Sequence, residues 1–422
     1  MKRLIANALI LAGGFIAAAA PTFGVASTAL HGQRLIAPDI GAGGYMYGSP
    51  AVNGDWIAAF GRLSANAGDG RVYVFHRAAG VWSLFQEIAP PDGAGANDAL
   101  MFVGKALVVG SPGAYDPRVA ANMGTVSIYT FQLDQWMLND QIYSYTGFMG
   151  SASGFGTALA ADADTLYVGF PDYVSGSGLS TGDVEAYDIS SAPATYLGQI
   201  APASAVEGMG FGTTLTAGYH TLAVGANDQG LPGVGSAAGV IYTFAQNGKH
   251  WTPGVSLESP WASAFDYFPS ALTMDGSRII AGDYHNRSQG KGGPMGVAFS
   301  YAGAGSQYSL ESDVSPPDGY GNDLFGASVA AAGGLVMMGA PNTGDAGRVY
   351  AYRNVDGAWQ QVGIFVTDDL ATGDGFGVSL ATDGSTLVVG ATANGRDPAG
   401  TGAIYAFCDF GTDRVFSDGT ED

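Results

Sequence analysis

The sequence predicts an all-β protein: a seven-bladed β-propeller of four-stranded blades, its ring closed by an N-terminal strand. Three spacings predict it. First, an aromatic residue stands 14 positions before a glycine in six places: Tyr47 with Gly61, Phe155 with Gly169, Phe211 with Gly225, Phe268 with Gly282, Phe325 with Gly339, and Phe376 with Gly390. Gly110 points back the same way to Ala96, which makes seven copies. Second, every copy continues with Gly-x-apolar-x-x-aromatic, from GRVYVF at Gly70 to GAIYAF at Gly402. Third, seven residues past the closing aromatic stands Trp82, Trp136, Trp251, Tyr308 or Trp359; in the third copy the gap is nine and the residue is Tyr196.

Each copy parses into four strands. The segment that opens on the aromatic-Gly pair, such as FGTALAA, is the first. A tight turn such as DADT or TDGS leads to an apolar run such as LYVG or LVVG, which suits a strand buried on both faces. A variable loop rich in Gly, Asn, Asp and Ser precedes the Gly-x-Val-x-x-Tyr strand. Gly-bearing turns such as RAAG and QNGK then lead to a fourth strand such as WSLFQEIAP. The seventh copy stops after Phe407 and lacks this last strand. QRLIAP at Gln33 to Pro38 resembles FQEIAP ending at Pro90 and GQIAP ending at Pro202, so the N-terminus is expected to supply it. The tail segment DRVFS, Asp413 to Ser417, is the rival and matches in position only.

The flanks and composition set the compartment. Lys2 and Arg3 precede an apolar run from Leu4 to Ala20, then small residues, which is the pattern of a cleaved signal peptide over 1–26, or to 29. The propeller is expected over 31–407 and an acidic tail over 408–422. Removing the leader takes the formal net charge from −21 to −23. Such a chain repels nucleic acid and anionic lipid. No later run is long enough to cross a membrane as a helix. The expected product is secreted or extracytoplasmic, and a monomer. Cys408 is the single cysteine, so no intramolecular disulfide forms.

These residues resemble the FG-GAP repeat family. FGASVAAAGGLVMMGAP, Phe325 to Pro341, carries both name-giving elements, and FGVSLATDGSTLVVGAT at Phe376 carries them with Thr392 in place of the proline. The pattern resembles the FG-GAP repeats of exported bacterial proteins and, more distantly, the seven-bladed propeller of integrin α chains. The resemblance implies a fold, and it implies calcium only where a D-x-D-x-D-G loop joins the first two strands. Here those turns are short, and only ADADT has two acids, Asp162 and Asp164. Calcium needs six to eight oxygens, so no cofactor is expected, with Asp162 and Asp164 the weak metal candidates.

Loops on a rigid scaffold carry binding. The loops between strands two and three and those between blades share one face. An acid two residues before the opening aromatic recurs there as Asp266, Asp323 and Asp374, with Asp98, Asp318 and Asp369 near by. These are the candidate ligand-face carboxylates; the alternative role of an Asp before a strand is to form the turn. His285 with Asp283 has too few ligands for zinc. No nucleophile elbow, HExxH or phosphate loop is present. The recurrent tryptophans read as packing between blades, because their register is fixed. The leading expectation is an exported, non-catalytic propeller of adhesion type, binding an extracellular protein, glycan or surface component through the loop face. The alternatives are an extracellular hydrolase or lyase using the loop carboxylates, and a structural cell-envelope protein displayed through its tail.

Overall fold

The computed structural model describes residues 32–40, 45–64, 70–91, 99–146, 154–202, 204, 206–287, 295–392, 402–408 and 410. The expected leader, Asp98 and the tail from residue 411, with its DRVFS segment, lie outside the described residues.

Seven four-stranded antiparallel sheets form the blades. In blade three, from the inside outward, the strands are Leu159–Asp162, Thr165–Phe170, Asp183–Asp188 and Thr195–Ile200. Blade seven has Ser379–Thr382, Thr386–Ala391 and Ala403–Cys408 from the end of the chain, and Gln33–Leu35 as its outer strand. The N-terminal strand therefore closes the ring, with Gln33, Arg34 and Leu35 opposite Ala406, Tyr405 and Ile404. Its register differs by one from the IAP match. Leu35 occupies the place of Ile88, which faces Val72 in blade one, and Gln33 that of Gln86. The glutamine decides this register. Gln33 donates to the Trp82 carbonyl at 2.7 Å and accepts the Trp82 N–H at 2.8 Å. Gln86 makes the same pair of bonds with Trp136 of blade two, at 2.9 and 2.7 Å.

Glycines make the blades fit. A Cβ on Gly110, Gly169, Gly282 or Gly339 would stand 2.2, 2.1, 2.0 or 1.9 Å from the carbonyl oxygen of Gly156, Gly212, Gly326 or Gly377 in the next blade. The third-strand glycines do likewise: Gly124, Gly182, Gly296 and Gly347 lie against the carbonyls of Phe155, Phe211, Phe325 and Phe376. The N–H of each of these phenylalanines donates back across the seam, Phe325 to Met295 at 3.0 Å and Phe376 to Ala346 at 2.8 Å. The rings are fully buried, which stabilises by about 1.5–3 kcal/mol each. Each of the seven buried apolar clusters spans two adjacent blades, so the core is a set of seams rather than a single centre.

In blades one to six a β-bulge sits just before the closing aromatic of the third strand, as at Val74/Phe75 and Ala351/Tyr352. Bulges increase twist, and here they swing the outer strand toward the preceding blade. The recurrent aromatics then reach that blade: Trp82 Nε1 donates to Cys408 Sγ, Trp251 to Tyr167 Oη at 3.1 Å, Trp359 to Ser300 Oγ at 3.0 Å, and Tyr308 Oη to Thr221 Oγ1 at 3.2 Å.

Two alanine substitutions separate the seam from ordinary glycine strain. Gly339→Ala places a methyl group on the Gly377 backbone and is expected to cost about 3 kcal/mol or more, the upper end of overpacking. Gly333→Ala meets open space at φ +61° and should cost about 1 kcal/mol, the strain of a left-handed residue. Urea denaturation of both variants checks the difference; equal losses would contradict the seam assignment.

Candidate functional site

The three candidate carboxylates hold turns. Asp266 accepts the Ser263 N–H at 2.6 Å, Asp323 that of Tyr320 at 2.6 Å, and Asp374 that of Ala371 at 2.7 Å. Each acid's own N–H donates to the carbonyl of that same residue. All three side chains are buried, one per blade in blades five, six and seven. Met209 fills the same place in blade four, its Sδ facing the Val206 N–H at 3.5 Å. The neighbouring loop acids are also engaged. Asp318 accepts from Tyr350 Oη at 3.0 Å and pairs with Arg348 at 2.7 Å, and Asp369 accepts from Tyr405 Oη at 3.2 Å. An axial cavity of about 280 Å³ is lined by Pro50, Leu100, Thr273, Val329 and Leu380 among others, and by none of the three candidate acids.

The turns around those acids carry the more informative feature. In blades four to seven the residues three before and one before the opening phenylalanine have positive φ. In blades four and seven they are Gly208 and Gly210, and Gly373 and Gly375. Blade six uses Asn322 and Leu324, and blade five uses Phe265 and Tyr267, at φ +66° and +55°. An L-residue there costs about 1–2 kcal/mol that glycine avoids. The Phe265 and Tyr267 N–H groups donate to Ser236 and Ala237 of blade four, both at 2.9 Å, which locks the strained backbone. Their side chains are 60% and 36% exposed. Tyr267 lies 5.8 Å from His285, whose ring is tilted against Tyr284 at 4.0 Å. Tyr320, in the next inter-blade loop, is 76% exposed.

Beneath this surface Asp283 is fully buried, at a repeat position held by Ala226, Ala340 and Ala391 in other blades. Burial raises its carboxyl to about 7, and the negative charge of Asp266 adds to this, against hydrogen bonds from Asn286 and Ser259 that favour the charged form. Burial also lowers the His285 pKa, outweighing the Asp266 backbone and charge that favour its cation. Burial raises Asp266 too. Asp283 is fully buried and does not reach the surface.

A family model described as FG-GAP repeat matches residues 308–352 and 359–407. Those two stretches are FG-GAP repeats. No curated protein matches it. The matched FG-GAP unit begins on an outer strand, at Tyr308 or Trp359, and ends on the closing aromatic of the next blade, at Tyr352 or Phe407. It therefore straddles a seam. The same phase makes the first unit open with Gln33–Leu35, so the closing strand is the ordinary start of a repeat.

The first-to-second-strand turns link blades. Asp162 Oδ2 accepts the His220 N–H of blade four at 3.0 Å, Asp383 Oδ2 the Gly54 N–H of blade one at 2.7 Å, and Asn53 donates to the Gly104 carbonyl of blade two at 2.8 Å. The Asp164 backbone carbonyl accepts the Ile189 N–H of its own blade. No group of three or more His, Cys, Asp or Glu side chains gathers among the described residues. Two more buried acids lie in blade three. Glu185 accepts from Ser144 Oγ at 2.7 Å and from the Tyr145 and Thr146 N–H groups, fixing the segment from blade two. Burial raises the pKa of Asp183 well above the usual value, and the neighbouring Glu185 charge adds to this.

Asp283 gives a pH prediction. Its folded pKa, about 7, lies above the unfolded value of about 3.9, so the folded state holds a proton that the unfolded state loses. The stability this provides is complete below pH 4 and is lost as pH rises toward 7. Asp283→Asn stays neutral throughout, so its stability should exceed that of the parent at pH 8 and the difference should shrink at pH 4. Urea unfolding at both values tests this; a constant difference would contradict it.

Proposed function

We propose that this chain is an exported, non-catalytic binding propeller, of adhesion type, that takes an extracellular protein, glycan or surface component on its loop face. The contact is centred on blade five and continues to Tyr320. One observation carries this reading: Phe265 and Tyr267 present exposed rings from backbone positions where blades four and seven use glycine. Strain held at a loop by surrounding hydrogen bonds is a mark of a functional surface. Aromatic rings supply large contact area with few torsions to freeze.

A hydrolase or lyase reading needs free, converging acids, and Asp266, Asp323 and Asp374 each hold a turn. The envelope-display reading rests on the tail, outside the described residues. Export follows from the leader pattern at residues 1–26. The same proposal has no resident cofactor and no calcium in the ADADT turn, because the Asp162 carboxylate already serves blade four. Among the described residues no helix is long and apolar enough to cross a membrane.

The test is a glycan and protein binding screen of the chain from residue 30, with and without chelator, repeated on the double variant Phe265→Gly, Tyr267→Gly. The variant should fold with parental stability, since relief of about 1 kcal/mol of strain per residue offsets the added unfolded-state freedom of glycine. It should lose the ligand at least tenfold, and chelator should leave parental binding unchanged. Parental binding that survives the double substitution would overturn the placement on blade five.

A further inference from the structure

On the opposite face, where the short turns lie, blades one and two enclose a cavity of about 610 Å³. Trp56, Phe102, Phe131 and Trp136 form its walls, with Asn53 and Lys105 among its polar lining. Trp56 is the hub, with ring centroids 5.1 Å from Phe131, 5.3 Å from Trp136 and 5.0 Å from Phe85. Phe131 and Phe85 remain 42% and 41% exposed.

Comparison among the seven copies shows that this seam is exceptional. The place of Trp56 is taken elsewhere by Lys105, Asp164, His220, Ser277, Gly334 and Ser385. Phe131 stands where blades one, four and six have Arg77, Gln246 and Asn354, each facing the recurrent tryptophan as Phe131 does. Phe85 holds the bulge position of Asn139 in blade two and Glu311 in blade five. The positions of Trp56 and Phe131 are polar or small in most copies, whereas that of Phe85 is also apolar as Leu197 in blade three and Val362 in blade six; all three are aromatic together at this seam. The other seams hold without such rings, through the Trp82, Trp251, Trp359 and Tyr308 hydrogen bonds, whereas the buried Trp136 Nε1 finds no hydrogen-bond partner among the described residues and packs against Trp56 instead. A concave pocket of this volume, aromatic with a few polar groups, has the make-up of a small-ligand site.

The charge of the lining selects the ligand. Lys105 is the only charged residue of the lining, and it makes no ion pair among the described residues. The adjacent acid Asp55 is neutralised by Arg77 at 2.8 Å. An aromatic wall stacks against the apolar face of a pyranose ring, and an unpaired ammonium beside it complements a carboxylate on that ring. The overall negative charge of the chain is screened beyond about 8–10 Å at ordinary ionic strength, so the local lysine governs. We propose that this pocket binds a uronate-bearing oligosaccharide, with a sugar ring on Trp56 and Phe131 and its carboxylate on Lys105. The site is separate from the loop face and stands or falls independently of it.

The probes are trigalacturonate and its neutral galactose counterpart, titrated against the chain from residue 30 and followed by tryptophan fluorescence and calorimetry. Trp56→Ser and Phe131→Gln introduce residues that other copies carry at the same repeat positions, so the fold is retained. Trigalacturonate should bind the parent, and each of these variants should weaken it at least tenfold. Lys105→Gln should lower affinity for trigalacturonate toward that for the neutral sugar. Three outcomes overturn the proposal: no binding of trigalacturonate by the parent, equal binding of both sugars with Lys105→Gln without effect, or a self-association of the parent that Trp56→Ser abolishes. Phe265→Gly with Tyr267→Gly should leave this binding unchanged.

Discussion

The ring depends on a backbone-to-backbone approach between blades that only glycine permits. Where Gly339 meets the Gly377 carbonyl and Gly347 meets that of Phe376, a single methyl group would occupy the space of the neighbouring chain. Because the backbones touch, the phenylalanine that follows can donate its N–H across the seam and bury its ring among two blades at once. In blades one to six the bulge before the closing aromatic then turns the outer strand back, so the recurrent Trp or Tyr covers the outside of the preceding seam. The chain is long but poor in charge, and it builds its core by repeating this one contact rather than by filling one large interior.

A ring built this way leaves its loops free to differ. Among the described residues, Asp266, Asp323 and Asp374 hold turns and Asp318 and Asp369 accept from third-strand tyrosines, which orders the loop face. Blade five departs from its neighbours in several ways together. It has Pro269 where five other copies have the glycine that follows the opening aromatic, Asp283 in a place that is apolar in blades three, four, six and seven, and aromatic residues in two left-handed positions. Strain and a buried acid are both costs to stability, and both lie beneath the same exposed rings. Costs gathered at one surface patch are the observation behind the proposed contact at blade five.

The architecture was legible in the sequence because it rests on spacing. Seven copies, four strands per copy, closure by the N-terminal strand and packing of the tryptophans between blades all follow from intervals that the structure reproduces. The register of the closing strand was not legible: the IAP letters align one residue away from the pairing that Gln33 and Leu35 adopt. Backbone angle is invisible in a single copy, so Phe265 and Tyr267 stand out only once their counterparts are seen to be glycines with positive φ. The three candidate acids were visible as a repeat, but the N–H groups they accept depend on turns whose geometry no spacing reports. Trp56, Phe85 and Phe131 are separated by dozens of residues and belong to different repeat positions, so only the fold brings them together.

Closure of the ring by residues 33–35 is the claim on which the rest stands, since an open ring would hold neither seam nor face in place. Its most direct test compares chains beginning at residue 30 and at residue 39 by amide hydrogen exchange along Ala403–Cys408. The account predicts that the shorter chain loses protection at Ile404 and Ala406, the residues facing Leu35 and Gln33, while the third strand of blade four keeps its own. Equal protection of Ile404 and Ala406 in both chains would contradict it.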